Sequence, residues 1–170
     1  MNLVTASLLN VLSTYPASAS PAPKLVAITS VGLSPRSHAK LPLVLRPVYS
    51  IAWSPHDDKY GCEYLLMHAL GRPWPTEDPV PKKGIMPESW KEKLGQNGAK
   101  WDQVVVLKPA LLTDGSCKAD SAGDGKPPYR LSEEDLSAYR ISRKDVAHFI
   151  AEQLLSDWEK WSGKFIRMAY

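Results

Sequence analysis

Cysteine, histidine and long apolar runs are scarce in this chain, and each scarcity excludes a class of protein. Two cysteines, Cys62 and Cys117, cannot build the disulfide framework of a small secreted domain. The four histidines are dispersed, and neither a CxxC nor an HExxH motif occurs, so the sequence predicts no metal site. No apolar run reaches the roughly 20 residues of a membrane-spanning helix, so we expect no membrane insertion.

A strong excess of one charge is also absent. The net charge is +3, and the Lys and Arg residues form no basic stripe with interleaved aromatics, which argues against a nucleic-acid partner. The 170 residues are 44% hydrophobic and 23% charged, as in an ordinary globular domain that buries a core of its own. The low cysteine content favours a reducing, cytoplasmic setting.

The first residues of the chain fit two interpretations. Residues 3–12 are mostly apolar, and Ala17-Ser18-Ala19 resembles a signal-peptidase site. However, a secretory signal has a positively charged start and a cleaner apolar stretch, and here no Lys or Arg precedes the run. Val4, Leu8 and Leu12 share one helical face, so the sequence favours an ordinary helix over residues 2–14.

Short apolar runs alternate with helical patterns along the rest of the chain. The sequence predicts strands at 24–29, 104–107, 129–131 and 164–168, and further helices at 41–49, 54–70, 88–94 and from Ser142 to about 154. Proline- and glycine-rich insertions occupy 71–100 and 113–128. We therefore expect one partial α/β domain over residues 1–170, an incomplete Rossmann-like, doubly wound parallel sheet with flanking helices. Strands 24–29 and 104–107 should be parallel neighbours, with helix 55–70 crossing between them.

Four segments carry a family resemblance: KLVAITSVGLS at 24–34, PHDDKYGCEYLL at 55–66, WDQVVVLKPALLTDG at 101–115 and YRISRKDVAHFIAEQLL at 139–155. In this order they resemble the atypical short-chain dehydrogenases, and particularly the NmrA-like, NAD(P)H-binding Rossmann proteins of fungal type. The resemblance implies hydride transfer between the nicotinamide of NAD(P) and a small carbonyl or quinone-like substrate. It also implies an alternative, a non-catalytic regulator that senses a dinucleotide or binds a protein partner.

The resemblance also implies roles for particular residues. Thr29 and Ser30 would end a Rossmann strand beside the cofactor, and Lys59 would point into the cofactor cleft, with Asp58 as its acidic neighbour. Ser30 and Lys59 would be the catalytic residues. The other implied positions lie beside the nicotinamide or at the substrate rim: Pro109, Ala110, Leu111 and Arg143.

Each of these polar residues also has a simpler structural interpretation. Lys59 could extend its ammonium to water at the helix end or pair with Glu63. The hydroxyls of Thr29 and Ser30 could close a turn. His56 could be a general acid at the substrate, or a solvated loop histidine. Cys62 is most simply a small buried hydrophobe.

The sequence departs from the family where the dinucleotide should bind. Gly95-x-x-Gly98 leads into a strand, and Gly123-x-Gly125 lies in a polar loop, so neither is a phosphate-binding turn. Tyr139-x-x-x-Arg143 is not the tyrosine–lysine pair of classical members. We expect the strand–GxxGxxG–helix unit of the family to precede Met1, NAD(P) binding by this chain to be weak or absent, and an exposed sheet edge to favour self-association or a protein partner. A fragment without activity of its own is a further alternative.

Overall fold

The centre of the fold is a strand, β2 (Val104–Pro109), in which every residue is buried. Its side chains alternate between two apolar clusters, with Val104 and Val106 on one face of the sheet and Val105 and Leu107 on the other. In the computed structural model, which describes residues 2–16, 19–43, 53–95, 102–123, 127–137 and 139–170, this strand lies inside a four-stranded sheet.

The sheet is mostly parallel. Strands β1 (Leu25–Ile28) and β6 (Phe165–Ala169) flank β2 and run parallel to it, and β4 (Arg130–Ser132) is antiparallel to β6, so the strand order is β1-β2-β6-β4. A second, two-stranded parallel sheet joins β3 (Leu111–Thr113) to β5 (Arg140–Ser142). The expected α/β architecture and the parallel pairing of the first two predicted strands are therefore confirmed.

Helices cover both faces of the larger sheet. On the face of Val104 and Val106, the apolar cluster includes residues of α1 (Leu3–Ser13), α3 (Trp53–Ala69) and α4 (Trp90–Gly95). On the other face it includes residues of α5 (Arg143–His148), of the π-helical turn that continues it (Phe149–Leu154) and of α6 (Trp158–Trp161). A short α2 (Pro35–Ala39) follows β1.

The element boundaries differ from the sequence predictions in several places. Helix α3 begins at Trp53, one residue before the expected cap Ser54, and α2, β3 and β5 were not predicted. The predicted insertion at 113–128 contains a 3-10 turn over Ala119–Ser121. In the predicted helix at 41–49, residues 41–43 are not helical, and residues 44–49 lie outside the described part of the chain.

A buried carboxylate docks α1 onto α3. Asp58 of α3 accepts hydrogen bonds from the backbone N–H groups of Val4 (2.9 Å) and Thr5 (2.8 Å) and from the Thr5 hydroxyl (2.7 Å). Burial alone would raise the pKa of Asp58, but these hydrogen bonds from Val4 and Thr5 outweigh it and lower the pKa below its ordinary value. The negative charge lies at the positive end of the α1 dipole, which stabilises the helix.

A second buried carboxylate, Asp145, joins three separate parts of the chain. It accepts hydrogen bonds from the Ser142 hydroxyl (2.7 Å), from the backbone N–H groups of Lys118 (3.1 Å) and Ala119 (3.0 Å), and from the Tyr170 hydroxyl. Burial opposes ionisation, but these donors prevail and lower the pKa of Asp145 to about 2. The carboxylate therefore fixes the start of α5, the 117–119 loop and the end of the chain together.

We expect Asp145 to make the stability of the fold pH-dependent in acid. Because its folded-state pKa of about 2 lies below the ~3.9 of an unfolded chain, its contribution is complete above about pH 4 and is lost as the pH falls towards 2. This loss should approach ~2.6 kcal/mol of unfolding free energy. In Asp145→Asn that part of the acid dependence should disappear, as measured by urea unfolding between pH 2 and 7. The exposed Asp114→Asn is the control, and an acid dependence in Asp145→Asn as steep as in the unmodified protein would contradict the assignment.

Candidate functional site

A cleft of about 210 Å³ lies beside the carboxyl-terminal half of β2. Open α/β sheets bind their ligands at the carboxyl ends of parallel strands, so this is the expected place for a site. The lining combines cations, carboxylates and aromatic rings, and the side chains that carry the chemistry are Lys108, Glu63, Arg72, Asp78, Tyr60 and Trp74. Its volume is below the ~300 Å³ at which pockets for drug-sized molecules begin, so it suits a small metabolite.

The innermost feature of the cleft is a buried ion pair. Lys108 continues the alternating row of Val104 and Val106 on β2, so its side chain points towards α3. Its ammonium donates to Glu63 Oε2 at 2.8 Å, and the Thr29 hydroxyl donates to Glu63 Oε1 at 2.7 Å. All three residues are buried. The pair ties α3 to the ends of both β1 and β2.

Lys108 has hydrogen-bonding capacity to spare. An ammonium carries three donors, and Glu63 takes one of them. Within the described parts of the chain, the other two meet no acceptor. Since Lys108 also lines the cleft, it can donate to a carbonyl or carboxylate oxygen placed there.

The mouth of the cleft is charged. Asp135 interacts with Arg167 (3.0 Å), Lys40 (3.2 Å) and Arg36 (3.7 Å). Burial alone would raise the pKa of Asp135, but Arg167 and Lys40 outweigh it, so the net shift is downward and the carboxylate stays ionised at neutral pH. Arg72 lies over the Phe165 ring at 5.7 Å and has no carboxylate partner among the described residues.

Four of the residues singled out from the sequence, Thr29, Ser30, Pro109 and Ala110, meet at the carboxyl ends of β1 and β2. Thr29 belongs to the Glu63 site. The Ser30 hydroxyl lies 3.5 Å from the carbonyl oxygen of Pro109, a contact that fits the closure of a turn. Ala110, which follows Pro109, packs in a small cluster with Val31.

The other predicted residues lie elsewhere. Lys59 is half-buried, does not line the cleft and forms no hydrogen bond or ion pair with another described residue. His56 lines a separate, mostly apolar pocket of about 430 Å³. Arg143 is exposed and pairs with Asp114 at 2.6 Å, and Leu111 is 41% exposed. Asp58, the expected acidic neighbour of Lys59, instead holds the start of α1.

Lys108 was not predicted as a site residue, because the strand predicted from the sequence ends at residue 107. The signal was nevertheless present. Lysine is almost never buried without a partner, and the two-residue period after Val104 and Val106 places Lys108 on a covered face. Glu63 was considered only as a partner of Lys59. One turn of helix separates those two residues, and Glu63 reaches Lys108 instead.

The described strand ends offer no glycine-rich turn of the kind that holds a pyrophosphate at the start of a long helix. The turn between β1 and α2 contains one glycine, Gly32, whose φ is +72°, and Leu41 packs closely against it, since an added Cβ there would lie 2.6 Å from Leu41 Cδ1. Among the described residues, no glycine-rich turn joins a strand to a helix longer than α2, which has five residues.

Comparison with protein-family models, with curated proteins and with solved structures finds no match to this chain. None of the described helices is long and apolar enough to cross a membrane. In the described ranges, no group of three or more His, Cys, Asp or Glu side chains is arranged to hold a metal ion.

The buried pair should dominate the local stability. Lys108→Met leaves Glu63 buried without its cation, so we expect a loss of about 3–5 kcal/mol in unfolding free energy. The double variant Lys108→Met/Glu63→Met removes both charges and should recover most of that loss. Urea denaturation of both proteins measures the difference.

A surface pair supplies the control for this experiment. Lys164 and Glu133 lie 3.1 Å apart and are both solvent-accessible, so Lys164→Met should cost less than about 1 kcal/mol. A double variant at Lys108 and Glu63 that is no more stable than the single variant would show that the two charges are not coupled.

Proposed function

We propose that this chain carries the substrate side of an oxidoreductase-like Rossmann domain, in which the cleft binds a small carbonyl compound. The observation that carries the proposal is the buried ammonium of Lys108, which lines the cleft with donors that no described residue accepts. A hydrogen bond from this ammonium withdraws charge from a carbonyl oxygen and makes the carbonyl carbon more reactive towards a hydride.

The neighbours of Lys108 prepare it for this role. Glu63 holds the ammonium at 2.8 Å, and Thr29 holds the second oxygen of Glu63 at 2.7 Å, so the position of the cation is fixed before a ligand arrives. Lys108 and Glu63 are both buried, and in such surroundings a charge acts on a bound oxygen more strongly than it would in water. The arrangement therefore favours polarisation of an oxygen over simple ionic attraction at the surface.

The resemblance suggests NAD(P) as the source of the hydride, which the cofactor supplies when it is bound. Among the described residues, no glycine-rich turn opens a helix longer than the five residues of α2, so this part of the chain lacks the usual pyrophosphate site. We therefore propose weak or absent NAD(P) binding by the chain alone.

The hydrogen bonds of Thr29 and Glu63 favour a second candidate, a ligand-sensing regulator without catalysis. The hydroxyl of Thr29 is engaged with Glu63, and Glu63 is engaged with Lys108, so neither acts as a free acid or base in the described cleft. A bound carbonyl compound could then shift the position of α3 without reacting. This candidate shares the cleft and Lys108 with the first.

Calorimetry with 4-methyl-2-oxopentanoate, a small oxo acid, tests the cleft. Because a hydrogen bond to a charged donor contributes about 1.5–3 kcal/mol, the Lys108→Met/Glu63→Met variant should bind about 10- to 100-fold more weakly. Arg143→Ala, far from the cleft, is the control. Oxidation of NADPH added in large excess, to compensate for its weak binding, would favour the enzyme, and binding of the oxo acid without oxidation under those conditions would favour the sensor. Unchanged affinity in the double variant would refute the role of Lys108.

We further propose that β1 can pair with another chain. It is an edge strand of the sheet, without proline or charge between Leu25 and Ile28, and Ile28 is 49% exposed. Such edges associate with other strands unless a charge interrupts them. We expect Ile28→Lys to reduce self-association in sedimentation-velocity runs. Leu155→Lys is the control, because Leu155 is about as exposed as Ile28 but lies outside the strands, and this variant should not change self-association. A monomer at every concentration in the unmodified protein would end this proposal.

A further inference from the structure

We propose that the cleft also recognises an ammonium group through Asp78, so that its preferred ligand is a small amino acid. This inference rests on the proposed function, and within it on the sensor candidate, because an amino acid offers a carboxylate oxygen to Lys108 but no carbonyl carbon that a hydride would reduce. It adds a second recognition element, the carboxylate of Asp78.

The Oδ1 atom of Asp78 is buried and has no hydrogen-bond partner among the described residues. Its backbone is held in place, since Asp78 N–H donates to the Pro75 carbonyl at 3.2 Å and the Trp74 indole N–H donates to the Asp78 carbonyl at 3.1 Å. A buried acceptor without a partner is costly. A carboxylate without a partner, carried on a hydrogen-bonded backbone in the lining of a cleft, is suited to a ligand that brings a donor.

Aromatic rings surround this carboxylate. Tyr60 and Trp74 both line the cleft, with ring centroids 5.2 Å apart and planes at 73°. The Tyr60 hydroxyl donates to the carbonyl of Pro79 at 2.7 Å, directly after Asp78. Burial, and then the negative charges of Asp78 and Glu63, raise the pKa of Tyr60, so its ring stays neutral. Neutral rings beside a carboxylate are the surroundings in which proteins hold alkylammonium groups.

The charged side chains that line the cleft divide into those that form ion pairs and those that do not. Lys108 is paired with Glu63, and Arg36 and Arg167 are paired with Asp135. Among the described residues, Arg72 and Asp78 are the cation and the anion of the lining that have no ion-pair partner. An amino acid has one carboxylate, whose two oxygens can accept from Lys108 and from Arg72, and one ammonium, which can pair with Asp78. A neutral carbonyl compound leaves the charges of Arg72 and Asp78 unpaired.

Three ligands with related carbon skeletons separate the two recognition elements. L-leucine carries both charged groups, 4-methyl-2-oxopentanoate lacks the ammonium, and 3-methylbutylamine lacks the carboxylate. Calorimetry on the full chain should show L-leucine binding roughly 10- to 100-fold more tightly than either of the others. A second series of L-alanine, pyruvate and ethylamine repeats the comparison with a smaller side chain.

Two variants assign the effect to the residues. Asp78→Asn keeps the shape but removes the charge, and it should reduce the affinity for the amino acid to that for the oxo acid while leaving the oxo acid unchanged. Arg72→Gln should lower the affinity for the amino acid and for the oxo acid alike, because both carry a carboxylate. Glu77→Gln, which changes an exposed neighbour of Asp78, is the control and should leave all affinities unchanged.

The outcomes distinguish this inference from the proposed function. Equal affinity for amino acid and oxo acid, or an Asp78→Asn variant that still prefers the amino acid, overturns the ammonium site and leaves the role of Lys108 standing. Binding of neither the acids nor the amines overturns both. Preference for the amino acid that Asp78→Asn abolishes supports the inference.

Discussion

The charge of Lys108 is the constraint on which the centre of this fold depends. An ammonium inside a strand that is covered on both faces loses its hydration, at a cost of several kcal/mol unless an anion and hydrogen bonds replace the water. Glu63 is the anion, and it lies on α3. The helix must therefore cross the sheet in the register that brings Glu63 to Lys108, and the Thr29 hydroxyl then fixes β1 to the same carboxylate.

Other buried carboxylates act in the same way at other junctions. Asp58 joins α3 to the first turn of α1, and Asp145 joins α5 to a distant loop and to the chain end. Their partners are mostly backbone N–H groups and hydroxyls, which can bond only one arrangement of the neighbouring segment. Apolar contacts between the sheet and its helices stabilise many registers to a similar extent, whereas a buried carboxylate is satisfied in few. The polar contacts therefore select among packings that the apolar core permits.

The sequence predicts what depends on local pattern. The strands of the parallel pair are apolar runs, and Leu65, Leu66 and Ala69 recur at helical spacing in the second half of the helix between them, so the type and order of these elements follow from periodicity. Strands β3 and β5 have three residues each and pair across a separation that no local signal reveals. Asp78 and Arg72 lie in a proline-rich segment without helical or strand periodicity, so the sequence does not show which way their side chains point. The site was missed for that reason, although the alternation along β2 does place Lys108 towards α3.

The division between paired and unpaired charges connects this architecture to binding. Charges that the protein neutralises internally, such as Lys108 with Glu63, join the sheet to its helices, and no ligand is needed to hold them in position. Arg72 and Asp78 come from the segment after α3, outside the sheet, and nothing described within the chain neutralises them. A ligand that pairs with them binds the folded chain and not the unfolded one, so it stabilises the fold in proportion to its occupancy. Because that segment carries no regular helix or strand between α3 and α4, the ligand would add contacts to the part of the cleft that the sheet itself does not fix.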